Sequence, residues 1–217
     1  MSASRAIFIA FEGGEGAGKT TQAQLLRDRL ETLERKVLLT REPGGTELGE
    51  RLRQIILRPT TSPAVAAAQS ELTAAAELFL FLAARAQLVS EVIRPALVAG
   101  AVVVCDRFTA STIAYQGYGR RLDLDAVRRA CDLATDGLQP DLSVLLDLPV
   151  DVGLSRKAEA EETDAIGRET GDFHERVRRG FHELAAAEPQ RWLVVDATLP
   201  IEDVCEMIWE RVRTLTG

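Results

Sequence analysis

The chain has 217 residues, 46% hydrophobic and 27% charged, which is the composition of a folded globular protein and not of a disordered one. Its net charge of -7 excludes the broad basic footprint of a sequence-independent DNA or RNA binder, although local arginines can still hold a small anion. No apolar run reaches the roughly 18 residues of a membrane span, and the opening MSASRAIFIAFEGGEG, interrupted by Glu12, is too short in apolar residues for a signal peptide. A cytoplasmic protein is expected. Three widely spaced cysteines, Cys105, Cys131 and Cys205, fit neither a disulfide framework nor a zinc site and read as inert thiols.

Strand and helix patterns alternate along the chain, which predicts parallel strands covered by helices. AIFIAFE reads as a buried first strand, followed by the Gly-rich GGEGAGKT and a helix from about Lys19 to Arg35. VLLT is a second strand ended by REPGGT, where Pro43, Gly44 and Gly45 break regular backbone. LGERLRQIIL has helical spacing, PTTSPAV is a loop, and the longest helical pattern runs from about Ser70 to Ala99 with Pro95 near its end. AVVVCD is a third strand, LDLDAVRRACDLAT a helix, LSVLLDL a fourth strand and WLVVDA a fifth, with a last helix after Leu199-Pro200. The polar stretch SRKAEAEETDAIGRETGDFHERVRRGF cannot supply a core strand. Neither a repeat nor a low-complexity linker divides the chain, so a single domain over 1–217 is expected.

GGEGAGKT matches GxxxxGK[ST] in the context that gives the pattern meaning, directly after a hydrophobic strand and opening a helix. Its glycines let backbone N–H groups turn inward around phosphate, and the helix N-terminus adds partial positive charge. Gly13, Gly14, Glu15, Gly16, Ala17, Gly18, Lys19, Thr20 and Thr21 form the candidate ATP cradle. Lys19 is placed for the β- and γ-phosphates and Thr20 for Mg²⁺. Asp106, at the end of AVVVCD, is the second candidate Mg²⁺ ligand, or a cap for the segment that follows. A guanine-reading Asn-Lys-x-Asp element is absent, and the chain is short for a motor. A small kinase of the P-loop NTPase fold is therefore expected, with a five-stranded parallel sheet, helices on both faces and a mobile lid.

TREPGGT at 40–46, ELFLFLAAR at 77–85, CDRFTASTIAYQGYGR at 105–120 and PDLSVLLDLPVDVGLSR at 140–156 together resemble bacterial-type thymidylate kinases, in consistent order from about Phe8 to Pro200. The resemblance implies phosphorylation of dTMP to dTDP with ATP and Mg²⁺. It implies that Phe81 stacks on thymine and that Arg85, four residues on and so on the same helix face, reads a base carbonyl. Taken alone, Phe81 is a core residue. Ser111, Thr112 and Gln116 are implied near the base. Tyr115 either flanks the sugar, disfavouring a ribose 2′-hydroxyl, or packs in the core. Arg53 and Arg107 are implied as the clamp on the acceptor phosphate, with Arg41 a weaker candidate and Pro43 in a cis peptide.

Glu15 is an acid within an anion cradle. The resemblance assigns it to the deoxyribose 3′-hydroxyl, which leaves a catalytic cation to come from elsewhere. Some family members carry an arginine one place after the acid, where this chain has Gly16; others carry arginines in a lid. The lid here, about 155–172, has Ala165 where an arginine and Gly167 where an acid would be expected. Arg156 is implied as the surface for the donor adenine. Arg168 is the candidate replacement cation, with Lys157 behind it, and a solvated charge is the alternative for Arg168. His174 and His182 are expected to be surface or partly packed residues without a role. The apolar excess of SELTAAAELFLFLAARAQLVSEVI, with the family habit, implies a homodimer. Binding to nucleic acid or membrane is not expected. The rival readings are a related nucleoside monophosphate kinase with another base choice, or a nucleotide-binding regulator with weak or no chemistry.

Overall fold

A computed structural model describes residues 5–57, 72–159 and 164–216. Five parallel strands are named in chain order: β1 (Ile7–Glu12), β2 (Val37–Arg41), β3 (Val102–Asp106), β4 (Leu142–Asp147) and β5 (Trp192–Asp196). They lie in the order β2-β3-β1-β4-β5. The chain moves from β1 to one side of the sheet and later crosses back to the other. Such a reversal opens a crevice at the carboxyl ends of the strands.

The period of two along β1 sorts its side chains between two buried layers. Ile7, Ile9 and Phe11 join Val102, Val104, Val144 and Leu146 under two helices, α1 (Lys19–Thr32) and the C-terminal helix Ile201–Thr216. Phe8 and Ala10 face the opposite layer with Val103, Cys105, Leu88, Ile93 and Phe108. Both faces are covered, which explains the near-continuous apolar runs of β1, β3 and β4. Glu12 belongs by parity to the second layer. It is a fully buried acid at the mouth of the crevice.

The remaining helices are α2 (Glu47–Leu57), α3 (Ala74–Leu88), α4 (Arg94–Val98), α5 (Thr109–Thr112), α6 (Leu124–Thr135), α7 (Val150–Glu159) and α8 (Gly171–Ala187), so the C-terminal helix is α9. The first helix stops three residues earlier than the Arg35 expected, because Glu34 turns into the left-handed region at φ 58°. The long helix starts where Thr73 accepts the Ala76 N–H at 3.2 Å; Ser70 and the loop at 59–65 lie outside the described residues. A π segment, Val89–Ile93, joins α3 to α4, where Pro95, lacking an N–H, is accommodated in the first turn.

A second π segment, Ile113–Gly119, carries much of CDRFTASTIAYQGYGR. It packs on α8 through two glycines. A Cβ on Gly119 would lie 2.6 Å from the Phe173 ring, and one on Gly180 would lie 2.6 Å from the Tyr118 ring. The stretch between β4 and β5 contributes no strand among its described residues, as expected. It is nevertheless less polar in its packing than its composition implies: Ile166, Phe173, Val177 and Phe181 form a buried cluster with Tyr115 and Leu145. This cluster seats the lid turn against the crevice.

Candidate active site

The phosphate loop turns through Gly13 (φ 138°), Gly16 (φ 66°) and Gly18 (φ 82°) into α1. Lys19 is buried, and its Nζ donates to the Gly14 carbonyl at 2.6 Å. Burial and then Arg107 bring its pKa down to about 8, against the opposing pull of Asp106, Glu15 and Glu12. Beside it, the Thr20 hydroxyl donates to Asp106 Oδ2 at 2.5 Å, which joins the loop to the end of β3. Two hard oxygen donors thus converge at the loop, a set suited to Mg²⁺. Among the described residues no group of three or more His, Cys, Asp or Glu could hold a metal by itself.

Glu15 is the hub. One carboxylate oxygen accepts from Arg107 Nη2 at 2.9 Å and from the Tyr115 hydroxyl at 2.9 Å. The other accepts from Lys157 Nζ at 2.6 Å. Burial opposes its charge, but Arg107, Lys19 and Lys157 hold its carboxyl well below the usual range. Lys157 also pairs with Asp164 Oδ2 at 3.0 Å. It comes from α7 and crosses the space over Gly167, where a Cβ would lie 3.0 Å from Nζ. Glycine at the position where an acid was expected leaves the path of this side chain open. Arg168 is exposed, and its backbone N–H donates to the Asp164 carbonyl at 3.2 Å. The cation brought to the loop is Lys157, which the sequence reading had put behind Arg168.

Gly16 has a second reason to be glycine. A Cβ there would lie 2.3 Å from the Gly153 carbonyl oxygen, and a Cβ on Gly153 would lie 2.3 Å from the Glu15 carbonyl oxygen. The start of α7 therefore rests directly on the phosphate loop, backbone against backbone. An arginine after the acid has no room in this packing.

Arg107 sits in the left-handed region at φ 73°, a strained conformation for a residue with a Cβ. Its guanidinium lies over the Tyr115 ring at 5.0 Å and donates to the Gly13 carbonyl at 3.0 Å and to Ser111 Oγ at 3.3 Å. Burial opposes its charge, yet Tyr115, Glu15, Asp106 and Glu12 hold its pKa above the ordinary value. Glu12 anchors the underside. It accepts from the Phe108 N–H at 2.9 Å and from the Ser111 hydroxyl at 2.5 Å, and burial raises its pKa to about 7.

Arg53 is half-buried, and its Nη1 donates to the Pro43 carbonyl at 3.0 Å. Burial and then repulsion from Arg41 lower its pKa, so two guanidiniums face a common region; Arg41 itself pairs with Glu50 at 3.0 Å. The Glu42–Pro43 peptide is cis. Phe81 packs at the edge of the Tyr115 cluster, half-buried. Arg85 is 1% exposed and is claimed by Glu42 Oε2 at 2.8 Å and 2.5 Å and by the Phe108 carbonyl at 3.0 Å. Among the described residues its Nη1 meets only the Cys131 sulfur, at 3.7 Å, which leaves that edge as the donor it can offer. Thr112 is buried with no partner for its hydroxyl among the described residues, and Gln116 is buried with its Nε2 donating to Glu77 at 2.8 Å. Arg156 lies apart from these groups, exposed, with Nη1 on the Ala197 carbonyl at 3.2 Å. Thr21 is exposed on α1.

Of the two histidines, His182 is exposed as expected and His174 is buried. His174 is 5% exposed, its Nε2 is buried without a partner, and burial lowers its pKa, with Glu15, Glu169, Lys157 and Asp164 as the neighbouring charges. His182 pairs through Nε2 with Asp147 at 3.0 Å. Sequence reading missed Glu12, Glu42 and Glu77 as well. The available signal was a lone acid in an otherwise apolar run, as in IAFEGG and AAAELFLF.

Two predictions follow from this geometry. Gly16→Arg, which would place a cation after the acid, is expected to abolish ATP binding in a titration and to lower the melting temperature, because it must displace α7. For Glu12, the folded pKa of about 7 lies above the ordinary 4.5, so the native state holds a proton that the unfolded state has released. Stability from this group is present below about pH 4.5 and is lost as pH rises to about 7. The melting temperature of Glu12→Gln relative to the wild type should therefore rise between about pH 5 and about pH 7.5; a flat difference would contradict the assignment.

The family model described as thymidylate kinase matches residues 11–208. The thymidylate kinase of Desulfovibrio desulfuricans is 53% identical over 205 residues, covering 91% of each chain. That of Synechococcus sp. is 50% identical over 207 residues, covering 95% of this chain and 94% of the relative. The crystal structure of thymidylate kinase from Ehrlichia chaffeensis superposes with a TM-score of 0.75 at 33% identity, covering 96% of this chain and 99% of that one. The phosphate loop, its acid and the arginines gathered around it thus stand in a chain that belongs to the thymidylate kinase family.

Proposed function

We propose the following assignment of residues to the reaction that membership of the family gives this chain, the ATP-dependent phosphorylation of dTMP to dTDP. The observation that carries it is the set of three donors on Glu15. That carboxylate joins the donor loop, the β3 arginine, the Tyr115 ring and the lid lysine at one point. Donor and acceptor can meet only where these elements meet.

In this reading the loop from Gly13 to Thr21 holds the ATP phosphates and Lys19 neutralises them. The depressed pKa of Lys19 supports this, since a phosphate would restore the charge that burial disfavours. Arg156, exposed near the end of α7, flanks the adenine. Thr20 and Asp106 would hold Mg²⁺ together with the phosphates, and the ion would neutralise charge on the transferring group.

Arg107 and Arg53 hold the dTMP phosphate, and the half-buried guanidinium of Arg53, whose charge burial disfavours, would be stabilised by an anion there. Phe81 covers the thymine. The Nη1 edge of Arg85, the unpartnered Thr112 hydroxyl, Ser111 and Gln116 supply the polar contacts, because a buried hydroxyl without a partner is satisfied at no extra cost by a ligand. Glu15 accepts the 3′-hydroxyl proton and Tyr115 walls off a 2′-hydroxyl. Transfer is direct and in line, with catalysis by positioning and charge and without a covalent intermediate. Lys157 supplies the lid's charge in this arrangement, and Arg168 is the second candidate for it.

We also propose a homodimer packed through α3. Its exposed side carries Ala75, Phe79 and Ala83, and the π segment after it Ser90, small residues around a phenylalanine that is 66% exposed, at a spacing that suits helix against helix. A single domain in a reducing, cytoplasmic setting agrees with three free cysteines, two of them buried. No described helix is long and apolar enough to cross a membrane.

Rates of ADP release with dTMP, dUMP, UMP and dCMP test the assignment. The deoxynucleotide dTMP should be used best, and equal use of UMP would remove Tyr115 from sugar selection. Absence of turnover with every acceptor would favour a nucleotide-binding regulator. Lys157→Ala is expected to lower kcat by about 10²–10³-fold, and Arg168→Ala by less. The opposite order would return the catalytic role to Arg168.

A further inference from the structure

The motif CDRFTASTIAYQGYGR ends on Arg120, a residue that the phosphoryl-transfer reading does not use. It closes the second π segment, where its backbone N–H donates to the Tyr115 carbonyl at 2.8 Å. Its guanidinium stacks on the Phe173 ring at 4.9 Å. Two of its nitrogens, Nε and Nη2, bind the two oxygens of Glu77 at 3.1 Å and 2.9 Å. The third, Nη1, binds Glu169 in the lid turn that follows Ala165 and Ile166.

Glu77 is no ordinary partner. It lies on α3 one turn before Phe81, its side chain is 4% exposed, and its Oε1 also accepts from Gln116 Nε2 at 2.8 Å. An ionised carboxylate only accepts, so this bond fixes which way the Gln116 amide points: the NH₂ end toward Glu77 and the carbonyl end away from it. A carbonyl so directed is an acceptor for the N3–H of a thymine, and it would face the unprotonated N3 of a cytosine unfavourably. Arg120 thus holds in one rigid fork both the anchor of Gln116 and an acid of the lid.

We propose that Arg120 is a positioning residue that couples recognition of the acceptor base to closure of the lid, through the chain Gln116–Glu77–Arg120–Glu169. The inference rests on Gln116 reading the base, as proposed above. A correct base leaves Glu77 and Arg120 in the register that meets Glu169, and lid closure in turn holds the amide in its reading orientation. Linkage requires the effect to run both ways: dTMP must tighten the binding of a donor nucleotide that needs the closed lid.

The test is calorimetric titration of the non-hydrolysable donor AMP-PNP with Mg²⁺, with and without saturating dTMP. The wild type should bind the donor at least about five-fold more tightly with dTMP present. Glu169→Gln, in the lid and remote from the base, should reduce that tightening to within about two-fold of none while leaving dTMP affinity in the absence of donor unchanged. Arg120→Lys should do the same, because one ammonium cannot span both carboxylates, and it guards against a misfolded Arg120→Ala. A purely structural role would lower stability without moving this ratio. Full tightening in Glu169→Gln, or none in the wild type, would overturn the proposal. The underlying pocket reading is checked separately with Gln116→Ala. If that variant keeps the preference for dTMP over dCMP, Gln116 does not read the base and the proposal falls with it. If it loses the preference while Glu169→Gln keeps its tightening, the link alone fails.

Discussion

A carboxylate can sit inside an anion cradle only if its own charge is cancelled more strongly than the phosphates need it to be. Glu15 meets that condition by accepting from Arg107, Tyr115 and Lys157 at once. The consequence extends beyond the loop. Arg107 must leave β3 in a strained left-handed conformation to reach it, Tyr115 must be delivered by the π segment, and α7 must lie close enough to bring Lys157 over. The contact of Gly16 with Gly153 is the result of that last demand. Once α7 is pressed on the loop, no side chain fits after the acid, and the cation that α7 itself brings to the carboxylate is Lys157.

The sheet, its helices and the phosphate loop were legible in the sequence because they are local. Apolar runs with both faces buried, a strand that ends in a glycine-rich turn and a helix that opens on Lys19-Thr20 each leave a mark within ten residues. The lid was not legible in that way. Arg168 looked suitable because it was the cation nearest to the position left vacant by Ala165. Lys157 reaches Glu15 from the preceding helix across Gly167, a pairing over 142 residues of sequence that no local pattern marks. His174, expected at the surface or partly packed, is buried for a related reason. On this charged helix, α8 turns its Phe173 face toward the π segment and takes the imidazole inward. The π segments themselves have no sequence signal beyond the motif they carry.

Arg85 illustrates a different limit. Its place four residues after Phe81 predicts a shared face, and the structure puts both on α3. What the spacing could not express is that Glu42 takes most of the guanidinium. Breaking such a buried pair costs about 3–5 kcal/mol, far more than an exposed one. Glu42 therefore holds Arg85 in a single orientation, and Nη1, against the Cys131 sulfur, is the edge that no described carboxylate takes.

The same division of labour recurs with Glu12 beneath Ser111 and Arg107, Glu77 beneath Gln116 and Arg120, and Glu42 beneath Arg85. Each acid is buried, each holds polar groups in place, and none can leave without stranding a partner away from water. A chain of net charge -7 can then present an anion-binding surface, because its acids lie behind the cations and not beside them. The arrangement has an electrostatic cost, visible in Glu12, whose charge burial disfavours near neutral pH. That cost is met before any substrate arrives. Donors oriented in advance need no reorganisation while charge moves between the phosphates, which is the condition under which fixed dipoles and charges contribute most to a phosphoryl-transfer rate.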